Sequence, residues 1–175
     1  MRTQPQEIIL QLEADNSRLA KEAIIEQAMT EGLDEFFEGV KMALDPLVTF
    51  GVKQVPERSD VLTGQGLSWD NFKTLANQLI DRELTGHAAR DAIELAMGVA
   101  TTEQWNTFYR RVLIKDLRCG VSEKTVNKIA KKFPQYAIPV FTCPLAHDSA
   151  NHEKKMIGKK QVEVKLDGVR VITVI

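Results

Sequence analysis

The chain has 175 residues, of which 43% are hydrophobic and 27% charged, and its formal net charge is −1. This composition excludes an intrinsically disordered polyelectrolyte, and no apolar run reaches the roughly 18 residues that a membrane span requires. Two cysteines, Cys119 and Cys143, are too few for a disulfide framework, and the N-terminal segment has no apolar signal core. We therefore expect a cytoplasmic protein without a membrane partner.

The first hundred residues have the three- and four-residue spacing of apolar side chains that is typical of amphipathic helices. Residues 50–67 contain several glycines and a proline, so they predict a long loop. The tryptophan–phenylalanine pairs at 69/72 and 105/108 are interpreted as core anchors. The predicted helix breaks and caps are Asp15-Asn16-Ser17, Pro46, Ser68 and Thr85.

Residues 101–133 predict two amphipathic helices joined at a glycine. Thr101 and Gln104 form a capping-box pattern at the first helix, which we expect to extend past Leu117. Gly120 suits the left-handed conformation at a helix end, and Ser122 suits the N-cap of the second helix. The basic residues on the outer faces of the two helices are Arg110, Arg111, Lys115, Arg118, Lys124, Lys128, Lys131 and Lys132.

The two parts of the chain on either side of residue 104 differ in the sign of their net charge. Residues 1–104 hold 9 basic and 18 acidic residues, a net charge of −9, whereas residues 105–175 hold 14 and 6, a net charge of +8. Lysine and arginine bind nucleic-acid phosphates and release counterions, and helix N-termini add backbone donors. The eight basic residues, with Gly120 and Ser122, therefore predict contact with a DNA backbone without base reading. A solvated helix face is the alternative.

After residue 134 the helical period ends. Prolines punctuate residues 136–160, which we interpret as a linker, and residues 161–175 predict two strands joined at Asp167-Gly168. Lys165 stands between two apolar residues of the first strand, where desolvation would lower its pKa and favour a nucleophilic amine. An exposed hairpin lysine is the alternative. The zinc-like spacing of Cys143, His147 and His152 has no fourth ligand nearby, so we predict no metal site.

Four segments resemble one family. Residues 165–170 (Lys-Leu-Asp-Gly-Val-Arg) resemble the Lys-x-Asp-Gly-x-Arg motif of the covalent nucleotidyltransferases, which are ATP-dependent DNA ligases, RNA ligases and mRNA-capping enzymes. Residues 110–128 resemble the end of the helical DNA-binding domain of ATP-dependent DNA ligases. Residues 141–146 stand where that family often has Pro-Met-Leu-Ala, and residues 84–89 resemble the small ligases of T-even-like bacteriophages. The resemblance covers most of residues 65–175.

The resemblance implies that Lys165 attacks the α-phosphate of ATP and forms a lysyl-AMP intermediate. It also implies that Glu163 binds adenine, that Arg170 contacts the nucleotide, and that Mg²⁺, held by ligands outside this chain, neutralises phosphate charge. The expected partner is nicked double-stranded DNA. A replication clamp is a second possible partner, the expected oligomeric state is a monomer, and the location would be the host cytoplasm if the source is a phage.

The expected fold class is therefore mainly α. A helical DNA-binding domain is expected over 1–135 and a linker over 136–160, and residues 161–175 would be the first strands of an incomplete nucleotidyltransferase domain. The family's later motifs do not follow Lys165, so we expect no ligation by this chain alone. Two alternatives remain open. One is a stand-alone, sequence-nonspecific DNA-binding module, and the other is an RNA ligase or capping-type enzyme, against which the helical region upstream argues.

Overall fold

The computed structural model describes residues 3–59, 64–141 and 158–159. The chain divides into two units, residues 1–141 and 142–175, and the fold is described for the first. In the described part of that unit every regular element is helical, which agrees with the expected mainly α class. The predicted strands at 161–175 lie outside the described residues. No described helix is long and apolar enough to cross a membrane.

Three helices form the N-terminal part of this unit. They are α1 (Pro5–Ala14), α2 (Arg18–Thr30) and α3 (Asp34–Leu44). The predicted break between α1 and α2 is confirmed, because the Asp15 carboxylate accepts a hydrogen bond from the Ser17 backbone N–H at 2.7 Å. The Ser17 hydroxyl in turn accepts from the first turn of α2 at 3.5 Å. A short polar segment thus satisfies its own backbone groups and starts a new helix.

Residues 50–67, which were predicted to form a long loop, contain no helix or strand among those that the structure describes. The Arg58 side chain fixes this segment by donating hydrogen bonds to three carbonyls, those of residues 97, 98 and 100. The Asn106 amide pairs with both backbone groups of Arg58, at 2.8 and 2.9 Å. Trp105 Nε1 also donates to the Pro56 carbonyl at 2.9 Å. The loop is therefore held by polar contacts instead of by its own secondary structure.

Two further helices follow this loop. These are α4 (Trp69–Ile80) and α5 (Gly86–Val99), and they pack against each other. The Ser68 hydroxyl accepts a hydrogen bond from the Asn71 backbone N–H at 3.3 Å, so the predicted N-cap is confirmed. Thr85 occupies the N-cap position of α5 without a side-chain capping bond.

The helix that was predicted to extend past Leu117 is shorter in the structure and contains a π-helical segment. It begins with the predicted capping box of Thr101 and Gln104, whose two reciprocal bonds measure 3.1 and 3.2 Å. A π-helical segment, Gln104–Tyr109, follows and leads into α6 (Arg110–Leu113), where the helix ends. Four of the six residues of this segment are buried, namely Trp105, Thr107, Phe108 and Tyr109.

The early helix end has a local and a distant cause. Lys115 adopts a φ of +58° and Arg118 a φ of +53°, so neither residue continues the helix. The Asp116 carboxylate accepts a hydrogen bond from the Arg118 N–H at 3.0 Å, which favours a turn over a helix. The Lys115 side chain leaves the helix to reach carbonyls at the end of α3. Two short elements then complete the unit, α7 (Glu123–Ala130) and a 3₁₀ turn at Pro134–Tyr136.

An aromatic cluster fills the core between α3, α4 and the π-helical segment. Trp105, Phe72 and Phe108 are at most 1% exposed and Trp69 is 6% exposed, so their predicted role as core anchors is confirmed. Gly39 of α3 allows the close approach of this cluster, since a Cβ atom there would lie 2.5 Å from Cζ of Phe108. A glycine therefore determines how near α3 lies to the core aromatics.

Candidate nucleic-acid interface

Two of the predicted DNA-binding arginines take part in the internal structure of the helical unit. Arg110 donates from Nε to the Val55 carbonyl at 2.8 Å and pairs with Glu57 at 3.0 Å. Arg111 pairs with Glu13 of α1 at 2.8 Å. Each arginine side chain is only 15% exposed. Their donors are therefore directed at the protein, and each guanidinium connects two segments of the fold.

Lys115 is also directed inward. Its ammonium donates to the Met42 carbonyl at 3.0 Å and to the Asp45 carbonyl at 2.6 Å. These acceptors belong to the C-terminal end of α3, where a cation is favoured by the helix dipole. Burial lowers the pKa of Lys115, and the nearby Asp45 carboxylate opposes that shift. The side chain therefore caps α3, a role that the sequence pattern did not indicate.

Arg118 lies at the start of the turn that precedes α7. Its side chain is 49% exposed, with its guanidinium 3.9 Å from Glu57 and 3.7 Å from Asp116. These contacts are long for charge-assisted hydrogen bonds, so they hold the guanidinium weakly. Arg118 can reorient toward a ligand without leaving a buried partner.

The turn itself contains Gly120, whose φ is +67°. The predicted left-handed conformation is therefore present, although the preceding helix ended at Leu113. Lys21 of α2 donates to the Cys119 carbonyl at 2.7 Å, and its ammonium lies 2.6 Å from where a Cβ at position 120 would stand. Lys21 lies in the acidic half of the chain and was not among the predicted DNA-binding residues. No local pattern could have revealed this contact, which joins residues 98 positions apart.

Ser122 occupies the N-cap position of α7, as predicted, but its hydroxyl makes no capping bond to the described backbone of that helix. It lies 3.4 Å from the Thr125 hydroxyl instead. The start of α7 therefore lacks the reciprocal capping bonds seen at α1, and Glu123 is the acidic residue in its first turn.

The four lysines of α7 and its C-terminal end form two pairs. Lys124 and Lys131 are exposed, and their ammonium groups make no hydrogen bond or ion pair with any residue that the structure describes. Lys128 and Lys132 point toward α2, which packs against α7. At about 100° per residue, these two lie on the side of the lysine arc away from Lys131. Of the four lysines of the predicted face, two are thus unpaired among the described residues and two face α2.

The two lysines that face α2 form ion pairs with its glutamates. Lys128 contacts the Glu22 carboxylate at 2.6 Å, and Lys132 contacts the Glu26 carboxylate at 2.6 Å. The hydrogen bond from Lys128 is the largest cause of a lowered pKa at Glu22, and Arg18, 2.9 Å away, acts in the same direction. Each carboxylate therefore gives one lysine a counter-charge.

The proposed nucleotide site lies elsewhere in the chain. Glu163, Lys165 and Arg170 are outside the described residues, as are Cys143, His147 and His152. Within residues 3–59 and 64–141, no group of three or more histidine, cysteine or acidic side chains is arranged to hold a metal ion.

The chain is similar in sequence and fold to two solved structures. The chain matches no known family model and no curated protein. It is 69% identical to a chain named "Pmar-Lig_PreS3", with a TM-score of 0.79, and 69% identical to one named "Pmar-Lig_Pre.", with a TM-score of 0.80. Those names suggest a ligase. Each match covers 90% of this chain but 36% of the other, so this chain spans about a third of their length.

Proposed function

We propose that this chain is the N-terminal part of an ATP-dependent DNA ligase and that its helical unit binds nicked duplex DNA. The observation that carries the proposal is 69% identity over 90% of the chain to two structures whose names suggest a ligase. The Lys-Leu-Asp-Gly-Val-Arg sequence at 165–170 supports the ATP-dependent type, because it resembles the motif of covalent nucleotidyltransferases.

In this proposal Lys165 is the nucleophile. Its neutral amine attacks the α-phosphorus of ATP, a P–N bond forms, and pyrophosphate leaves. The AMP group then passes to the 5′-phosphate at the nick, which regenerates the lysine amine. The 3′-hydroxyl attacks that 5′-phosphate and AMP leaves with the bonding electrons. Glu163 and Arg170 would bind adenine and nucleotide respectively, and Mg²⁺ bound outside this chain would neutralise phosphate charge.

The DNA contacts are assigned to the turn before α7 and to the exposed cations around it. Arg118, Lys124 and Lys131 are exposed, and no buried partner holds them. Gly120 and Ser122 lie between them at the start of α7, where backbone N–H groups can meet a phosphate. Arg110, Arg111 and Lys115 would act by supporting this surface, because their donors already bind carbonyls and carboxylates of the protein.

Adenylylation of the full-length protein tests the enzyme. Incubation with α-labelled ATP and Mg²⁺ should give a covalently labelled protein, and Lys165→Ala should remove the label because no other amine would occupy the nucleophile's position. Lys159→Ala, a lysine change six residues earlier, should keep it. A labelled Lys165→Ala protein, or no label in the unchanged full-length protein, would contradict the proposal.

DNA binding is tested on the 175-residue chain by fluorescence anisotropy with a nicked duplex at several salt concentrations. Lys124→Ala/Lys131→Ala removes two free cations and should reduce the slope of log K against log salt by up to about 1.8, at about 0.9 per phosphate contact. Lys41→Ala/Lys53→Ala removes the same charge from exposed lysines of α3 and of the loop after it, and should leave the slope unchanged. Equal effects of the two double changes would exclude the α7 surface as the contact.

A further inference from the structure

Two ion pairs join α2 to α7 in register. Glu22 and Glu26 are one helical turn apart on α2, and Lys128 and Lys132 are separated by the same four residues at α7. Residues at that spacing lie on one face of a helix, so the two pairs form a ladder between parallel rows of opposite charge. We call this set of four residues the α2–α7 ladder.

The members of the ladder differ in freedom. The lysine side chains are 52% and 67% exposed and the Glu26 side chain is 45% exposed, whereas the Glu22 side chain is 13% exposed and also binds Arg18 at 2.9 Å. The carboxylate of Glu22 is therefore held in place, while the lysines have room to turn toward solvent. A phosphate group approaching α7 would meet lysines that already have a counter-charge.

We propose that the carboxylates of Glu22 and Glu26 compete with DNA phosphates for Lys128 and Lys132 and so limit the affinity of the helical unit for duplex DNA. This inference rests on the proposed DNA-binding function. Association is driven by the counterions that protein cations displace from DNA, and a lysine that must first give up a carboxylate adds little to that gain. The freed carboxylates would also repel the phosphates.

Limited affinity suits a protein whose partner remains a duplex after its chemistry is complete. A sealed duplex presents nearly the same phosphates as a nicked one, so tight backbone binding would slow release of the product. The ladder reduces the number of effective cations at α7 from four to two without removing any of them from the sequence.

The test replaces the two carboxylates by isosteric amides. Glu22→Gln/Glu26→Gln should bind a nicked duplex more tightly and with a steeper salt dependence, since two more lysines become available. At about 0.9 per contact, the slope should steepen by up to about 1.8. Between about 50 and about 200 mM salt, the variant should then lose roughly twelvefold more affinity than the unchanged chain.

Two controls separate competition from general charge. Glu94→Gln/Glu103→Gln removes two exposed carboxylates that have no partner among the described residues, and it should leave the slope unchanged. Adding Lys128→Ala/Lys132→Ala to the Glu22→Gln/Glu26→Gln chain should return the slope to that of the unchanged chain. The same lysine changes made alone should alter the slope far less than Lys124→Ala/Lys131→Ala.

The outcomes distinguish this inference from the proposed function. If the unchanged chain binds DNA and Glu22→Gln/Glu26→Gln has the same slope as Glu94→Gln/Glu103→Gln, the competition is refuted and the DNA-binding proposal stands. The same holds if Lys128→Ala/Lys132→Ala alone flattens the slope as much as Lys124→Ala/Lys131→Ala. If neither the unchanged chain nor the ladder variant binds DNA, both proposals are refuted.

Discussion

Gly39 is a position where one added methyl group should strain the packing of the aromatic core. In Gly39→Ala the new Cβ would lie 2.5 Å from Cζ of Phe108 and 3.2 and 3.3 Å from its two Cε atoms. Carbon atoms pack favourably at about 3.5–4.0 Å, so the overlap reaches about 1 Å. Phe108 is 1% exposed, and its ring centre lies 5.7–6.1 Å from those of three neighbouring aromatic rings. The ring therefore has no open space into which it can move.

Overpacking of this kind costs about 1–3 kcal/mol, whereas replacing glycine by alanine inside a helix gains about 1 kcal/mol. Gly98 of α5 supplies the matched control, because it is exposed and a Cβ there would meet nothing within 4 Å. Gly98→Ala should therefore be more stable than the unchanged chain. The difference in unfolding free energy between Gly39→Ala and Gly98→Ala, about 1–3 kcal/mol, isolates the steric cost.

Urea unfolding followed by tryptophan fluorescence measures this difference, since Trp69 and Trp105 are both buried in the core. Phe108→Leu should reduce the penalty of Gly39→Ala in a double-mutant cycle, because the shorter side chain leaves space for the methyl group. If Gly39→Ala is as stable as Gly98→Ala, the reasoning from close approach is wrong.

Two further predictions concern buried polar groups. Tyr109 donates to the Leu67 carbonyl at 2.7 Å and is largely buried, and burial, with a smaller contribution from Glu35, raises its pKa. The unfolded chain releases this proton near pH 10 and the folded chain does not, so the free energy of unfolding should fall above pH 10. In urea titrations, Tyr109→Phe should remove that fall. The same change should cost about 1–3 kcal/mol of unfolding free energy at pH 7, because the Leu67 carbonyl loses its donor. Arg58→Lys should lose about 1–3 kcal/mol of unfolding free energy, because the lysine side chain is one atom shorter and its ammonium falls short of the position of Nη1, the atom that donates to all three carbonyls. Arg90→Lys, at an exposed position, should stay within about 0.5 kcal/mol in the same thermal or urea assay, and equal losses would contradict the assignment.

Helix starts could be read from the sequence because their causes are local. Ser17, Ser68 and the Thr101–Gln104 pair each bond to backbone groups within three residues, so the residue types and their spacing contain the whole argument. The aromatic core anchors were predicted for a related reason, since large apolar side chains at helical spacing have few alternatives to burial.

The end of the π/α6 helix could not be predicted in the same way. A 3.6-residue period placed Lys115 and Leu117 on a continuing helix, but the acceptors of Lys115 are carbonyls 70 and 73 positions away. The π-helical segment likewise departs from the 3.6-residue period, and its three aromatic residues are buried in the core. Tertiary contacts outweighed a regular local pattern in both cases.

The lysine face shows the same limit at the candidate site. The sequence predicts one continuous basic surface, because Lys124, Lys128, Lys131 and Lys132 share a helical arc. Their division depends on carboxylates of α2, which are 106 positions away from the lysines they bind. Residue type and spacing identified the four lysines. Whether each lysine is unpaired depends on the glutamates of α2, the helix that packs against α7.

The contacts of Arg58 determine how the helical unit opens. Its guanidinium binds the final carbonyls of α5, and its own backbone is held on both sides by Asn106 in the π-helical segment. If the end of α5 frayed alone, a buried cation would lose its acceptors without gaining water, which makes partial opening unfavourable. The irregular segment at 45–59 therefore couples two helical elements into one cooperative unit, and amide protons in both should exchange through a shared opening.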